Sequence, residues 1–287
     1  MAQHDANANG AITQDSTIIA TATPYITNDF HSLGDIGWYA NIYPLAIAMS
    51  QLSYAKLCTR YSLRWIYSIA MLLFIIGSAI CASAPRSSIL ILGRAISGLG
   101  ASGLLIGAYS LVAHIAPPAK RPTLFSLFSA SRGIAVTCGP LIGGALTQHV
   151  SWRWNFYINL PLGAVIYLVF LFSVRPAKRQ IQGFTSSKDL VETLDLIGLA
   201  ALLGWLACLL LALQWGGIQY AWSSGRIIAL LVVSVVCAVA FVGIEYRQGG
   251  KAMLPARVFM QPTVLSASFF ALCATGAIFT ITYYLPM

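Results

Sequence analysis

The stretch Ile89 to Ile115 reads ILILGRAISGLGASGLLIGAYSLVAHI. It holds a single Lys, Arg, Asp or Glu, Arg94, and as a helix rising about 1.5 Å per residue it crosses the roughly 30 Å of a bilayer core. It lacks the period-two alternation of a barrel strand and is too long for one. Further apolar runs bounded by charge or proline lie at Gly37 to Leu57, Trp65 to Ala84, Leu124 to Leu146, Trp154 to Val174, Leu196 to Trp215, Ile227 to Ile244 and Val264 to Met287. The chain is therefore read as an all-α polytopic membrane protein with eight spans. Of its 287 residues 58% are hydrophobic and 9% charged, against about 25% charged in a soluble domain. A mean hydropathy of +0.76 agrees, and a soluble enzyme is excluded. Ahead of the spans, Met1 to Gln14 is polar. Ser16 to Tyr25 is too short to span and lacks the basic start of a secretory signal.

A net charge of +9 raises the question of nucleic acid, but basic residues set between apolar runs are topology signals, and no nucleic-acid partner is expected. One set of alternate loops carries Lys56, Arg60 and Arg64, then Lys120 and Arg121, then Arg175, Lys178, Arg179 and Lys188, then Arg247, Lys251 and Arg257. The other set carries only Arg86, Arg153 and Arg226. The first set is assigned to the cytoplasm, which puts the segment before Gly37 and the end at Met287 outside. The six cysteines stand singly in or beside apolar runs and suggest neither a disulfide framework nor a metal site.

Arg94 and Arg132 fall inside spans, where an ionised side chain costs about 2.5 to 3.5 kcal/mol on insertion scales. No Asp or Glu lies between Asp35 and Asp189, and Asp29 and Asp35 sit with His31 in an expected external loop. Asp15 is the carboxylate placed to reach a bundle interior. One reading pairs Arg94 with Asp15 across two helices, protonation of Asp15 switching the pair. The other has Asp15 capping a short helix and Arg94 bonding backbone carbonyls. Arg132 can snorkel to an interface.

Two glycine runs, at Gly98, Gly100, Gly103 and Gly107 and at Gly133, Gly139, Gly143 and Gly144, suit close helix packing, with Pro140 inside the second. They are not phosphate loops, and no cofactor is expected. Trp152, Trp154, Phe156 and Tyr157 read as an interfacial anchor. The dispersed His4, His31, His114 and His149 give no metal site. Glu245 reads as an interfacial partner of Arg247.

In this order the motifs resemble those of the major facilitator superfamily, in particular its fungal fourteen-helix drug:proton antiporter branch. Asp15 to Pro24, DSTIIATATP, resembles the first-helix motif D-x-T-I-V-x-x-A-L-P. Ala55 to Arg64, AKLCTRYSLR, is similar to the loop signature G-x-L-A-D-R-x-G-R-K, with Ala55, Thr59 and Ser62 where the pattern has Gly, Asp and Gly. Leu90, Arg94, Gly98, Gly100 and Ala101 resemble the proton-coupling motif of the fourth helix. Gly139, Pro140, Gly143 and Gly144 resemble the antiporter motif of the fifth. Trp152 to Gly163, WRWNFYINLPLG, is similar to the sixth-helix signature.

The resemblance implies an incomplete fold of that superfamily. Residues 1–174 would be an N-terminal six-helix bundle with a truncated first helix, and 175–195 a cytoplasmic linker. Residues 196–246 would be two extra linker helices, and 247–287 a loop and the first helix of an absent C-terminal bundle. It implies a proton-coupled secondary transporter, not an enzyme, that exports small amphiphilic drugs, toxins or fungal secondary metabolites by alternating access. The implied roles are proton coupling for Asp15 and Arg94, and a conformational loop at Lys56, Thr59, Arg60 and Arg64. Partners would be a small-molecule substrate, protons and the lipid bilayer of a plasma or vacuolar membrane, with a homodimer if the short chain acts alone. The alternative is a non-transporting fragment of such an exporter.

Overall fold

A computed structural model describes residues 22–173, 195–217, 219–248 and 260–284. The helices are α1 (22–30), α2 (Ile36–Arg60), α3 (Leu63–Ala82), α4 (Ser87–Ile115), α5 (Arg121–His149), α6 (Trp154–Tyr157), α7 (Asn159–Ser173), α8 (Leu196–Trp215), α9 (Gly225–Gln248) and α10 (Pro262–Tyr284). Among the described residues there is no strand, only an isolated bridge from Gly216 to Tyr220.

Local chemistry sets the helix ends. Pro117 and Pro118 follow α4, and proline both lacks the N–H and pushes the preceding residue out of the helical region. Pro122 sits in the first turn of α5, where a missing N–H is harmless. The Asp195 carboxylate caps α8 by accepting from the Gly198 N–H at 3.2 Å.

The helices replace the expected spans nearly run for run, with one division. Trp154 to Val174 forms the short α6 and then α7, with Pro161 in the first turn of α7. Among the described residues six segments are long and apolar enough to cross a membrane: α3, α4, Pro118–His149, Trp154–Phe172, Ile197–Trp215 and α9. α2 is long enough but carries Asn41, Ser50, Gln51, Ser53 and Lys56. Of α10, Pro262–Ala277 is the apolar part described.

Contacts between ends show that consecutive helices run up and down between two rims. Tyr39 near the start of α2 bonds Ser87 at the start of α4. Arg153 before α6 bonds the Ala84 carbonyl beyond α3, and Gly37 meets Gln214 near the end of α8. At the opposite rim Arg64 bonds Leu171 near the end of α7, and Gln248 bonds Asp195 before α8. Asp29 and Asp35 mark the first rim, the acidic rim, where Arg86 and Arg153 stand beside them so that both signs of charge are present. Arg60, Arg64 and Arg121 mark the second, basic rim.

The core lies where α4 packs on α3 and α2. Tyr43, Tyr67, Met71, Phe74 and Leu104 are buried there, with Phe170 of α7 stacked on Tyr67. Lipid is as apolar as leucine, so helices in a bilayer associate through close packing of small residues. A Cβ at Gly98 would lie 2.7 Å from the Tyr43 carbonyl, and one at Gly100 would strike the backbone of Ala70 and Phe74. These glycines let α4 sit directly on both neighbours. More than half of α3 and α4 is buried, against 11% of the α5 segment. α8 and α9 form a hairpin docked on α2.

Candidate functional site

Arg94 lies about 10 Å along α4 from the acidic rim. It is fully buried, the largest side chain to be so among the described residues. Its guanidinium lies over the Tyr43 ring of α2, 4.4 Å from the centroid, and Tyr43 is itself fully buried. Gly98, one turn further along α4, lets the Tyr43 backbone approach and so sets the ring against the guanidinium. The contact is a desolvated cation–π pair. Asp15, the expected partner, lies outside the described residues. Arg132, the second intramembrane arginine, is exposed on α5.

The loop signature falls at the basic rim. Thr59 is exposed, and its hydroxyl donates to the Lys56 carbonyl of its own helix at 2.7 Å. The Lys56 ammonium is buried with no hydrogen-bond partner among the described residues. Arg60 is exposed. Arg64 donates to the Leu171 carbonyl at 3.1 Å, a cation placed on the negative end of α7.

In the α5 motif Gly139 and Gly143 are buried, Pro140 is exposed, and a Cβ at Gly133 or Gly144 would meet nothing within 4 Å. The two glycine runs thus differ: the α4 run is packed against its neighbours, while Gly133 and Gly144 face open space. Glu245 is buried and Arg247 exposed, as expected for helical residues two apart, which do not face each other. The expected interfacial pair between them does not fit this placement. Among the described residues no group of three His, Cys, Asp or Glu is placed to hold a metal.

The acidic rim holds a network that the sequence reading assigned to loop and anchor. Asp29 is on the last turn of α1 rather than in a loop, and Asp35 is in a short 3-10 turn. One Asp29 oxygen, Oδ2, accepts from Trp152 Nε1 and from Arg153, each at 3.1 Å. Arg153 also donates to the Ala84 carbonyl at 3.3 Å and lies 4.4 Å from the centroid of Trp152. Beside it, Tyr39 donates to Ser87 at 2.7 Å, and Ser87 donates to Asp35. Trp152 and Phe156 are buried in this rim, which leaves Trp154 and Tyr157 as the exposed aromatics available for anchoring.

A bundle of helices long and apolar enough to cross a bilayer is that of a polytopic membrane protein, and likeness to known proteins gives its family. The chain belongs to the Major Facilitator Superfamily, whose family pattern matches residues 8–287. It is 45% identical over 273 residues to MFS-type efflux pump MFS1 of Arthroderma benhamiae, covering 95% of this chain and 51% of that protein. Efflux pump aflT of Aspergillus parasiticus is 44% identical over 273 residues, 95% of this chain and 53% of that one. Efflux pump roqT of Penicillium rubens is 46% identical, with 95% and 50% covered. The chain thus spans about half the length of the curated relatives it matches.

Among solved structures, a D-xylose-proton symporter aligns with a TM-score of 0.52 at 15% identity, covering 86% of this chain and 68% of that one. A bacterial homologue of the human lysosomal transporter Spinster gives 0.52 at 18% identity, covering 84% and 59%. These two likenesses concern the fold alone. The chain is an integral membrane protein of a transport family and not an enzyme.

Proposed function

We propose that this chain forms the N-terminal part of a proton-coupled exporter of small amphiphilic molecules, drugs, toxins or secondary metabolites, in the plasma or vacuolar membrane. The observation that carries the reading is Arg94: a fully buried guanidinium on the packed helix of a bundle, in a chain 44 to 46% identical to efflux pumps. In this reading Asp15 and Arg94 form the coupling pair, with the proton on Asp15 deciding whether Arg94 is neutralised. Residues 1–174 are the transporting bundle, 175–195 a cytoplasmic linker, 196–246 two linker helices, and 247–287 the entry to a second bundle. The basic rim is cytoplasmic.

Alternating access rocks one half-bundle against another around a site near the midplane. The chain therefore works paired, with a second half or with a second copy of itself meeting it across the exposed face of α5. Asp15→Asn and Arg94→Ala are expected to abolish proton-driven export while abundance in the membrane holds. Loss of abundance in step with export would count against the reading.

A second reading, a non-transporting membrane fragment, is favoured by the sparse packing of α5, only 11% buried. Proton-dependent export by the purified chain in liposomes would refute it.

A further inference from the structure

The acidic rim joins three parts of the chain through one oxygen atom. Asp29 Oδ2, at the end of α1, takes the Trp152 indole N–H and the Arg153 guanidinium, both at 3.1 Å, from the turn before α6. The second arm of Arg153 holds the Ala84 carbonyl beyond α3. Phe30, next along from Asp29, meets Trp152 edge-on with centroids 5.6 Å apart. Below this junction Ile26, Leu90, Trp152 and Phe156 share one buried cluster. Loss of the Asp29 contacts therefore loosens the end of α1 from the turn before α6 and from the segment beyond α3 together, while the apolar contacts of Ile26 and Phe30 remain.

The junction is partly open to solvent, with side chains 36% exposed at Arg153 and 45% at Asp29. Protons can reach it, and an ion pair this exposed is weak and easily exchanged. Such a contact suits a latch that opens repeatedly rather than a permanent strut. The other charged or titratable groups at this end of the elements meeting here are Tyr25, His31, Asp35, Tyr39, Cys81, Arg86, His149 and Tyr157. Asp35 is engaged by Ser87 and Tyr39 by Ser32 and Ser87, while His31, Arg86 and His149 are exposed. Among the described residues Asp29 is the carboxylate that Arg153 pairs with.

We propose that Asp29, Trp152 and Arg153 form an acid-released latch, which holds the end of α1 against the turn before α6 while Asp29 is ionised and lets it go when Asp29 takes a proton. Protonation removes the charge that recruits Arg153 and leaves a neutral carboxyl, a poorer acceptor for a guanidinium. No bond other than these hydrogen bonds changes. On the exporter reading the rim is external, so the latch would sense the ion that drives export. The latch itself does not depend on that reading.

The test is the distance between nitroxide labels at Asn28→Cys and Trp154→Cys, two exposed sites on either side of the junction. It uses the full chain in phosphatidylcholine nanodiscs, with the exposed Cys138 and Cys273 replaced by Ser. Pulsed electron resonance at about pH 7 and about pH 3 lies on either side of the ordinary aspartate midpoint of about 3.9. The expected result is a short, narrow distance population at the higher pH that gives way in part to a longer one on acidification, the ratio of the two changing by up to about fivefold, as suits a pair this exposed. Asp29→Asn and Arg153→Gln should show the acid-side ratio of the two populations at both values, and Asp29→Glu should restore the response. An unchanged wild-type distribution overturns the latch. So does a response that persists in Asp29→Asn, because it would then come from another group. If a variant does not fold, the wild-type and Asp29→Glu titrations decide. Since nothing is transported in this measurement, a chain that exports nothing can still pass it, and an active exporter can fail it.

Discussion

Arg94 is where energetics and function part company. Inserting an arginine within a span costs about 2.5 to 3.5 kcal/mol, and stacking on one tyrosine returns about 0.5 to 2 kcal/mol. On the proposed coupling role, Arg94 serves function rather than folding. Arg94→Ala should leave the thermal midpoint in detergent unchanged or slightly raised, as followed by fluorescence-detected size exclusion. A fall of many degrees would mean that the guanidinium holds the core together. The intramembrane charge made Arg94 legible from sequence. Its stacking partner Tyr43 was not legible, because it lies on another helix, 51 positions before Arg94, and nothing local distinguishes it from other span tyrosines. Asp29 and Arg153 were hidden for the same reason, being 124 residues apart. An exposed pair of this kind adds at most about 1 kcal/mol, so its loss should show in conformation before it shows in stability.

At the scale of the helix, the two glycine runs make opposite predictions although they read alike in sequence. A methyl at Gly100 would strike the backbone of α3, which cannot swing aside. Overpacking of this kind costs about 1 to 3 kcal/mol, so Gly100→Ala should lower the melting temperature in detergent. Gly133 faces open space, and Gly133→Ala should be neutral or stabilise by up to about 1 kcal/mol through helix propensity. Equal effects at the two sites would contradict the packing described here. Spacing along one helix identifies small residues; which partner they touch is a tertiary fact. At the basic rim, Arg64→Ala removes a charged hydrogen bond to the end of α7, worth about 1.5 to 3 kcal/mol. It should speed hydrogen exchange in the last turn of α7 while Thr59→Ala, which loses only a bond to its own helix, does not. The helices themselves were legible because membrane spans need only length and apolarity. The break between α6 and α7 was missed because Asn159 and Pro161 sit inside an otherwise apolar run.

For the whole molecule, uneven burial is the main feature. α2, α3 and α4 form a packed unit, the α8 and α9 hairpin docks on α2, and α5 is joined to α4 and α6 chiefly near its ends. Composition could not foretell this, since α5 is less apolar than α4 and yet the more exposed of the two. Produced by itself, the chain is expected to pair through α5. A bis-maleimide reagent should then join two copies at Cys138, exposed on that helix, and give a product near twice 30.8 kDa. Monomer at every reagent concentration would remove self-pairing from the account.

The central claim, proton-coupled export through Arg94, is tested most directly in inverted membrane vesicles carrying the chain, loaded acid inside and given a fluorescent amphiphile. The account predicts accumulation that needs the proton gradient, collapses with a protonophore, and is absent from Arg94→Ala vesicles matched for abundance. Accumulation that ignores the gradient, or that survives in Arg94→Ala, would contradict it.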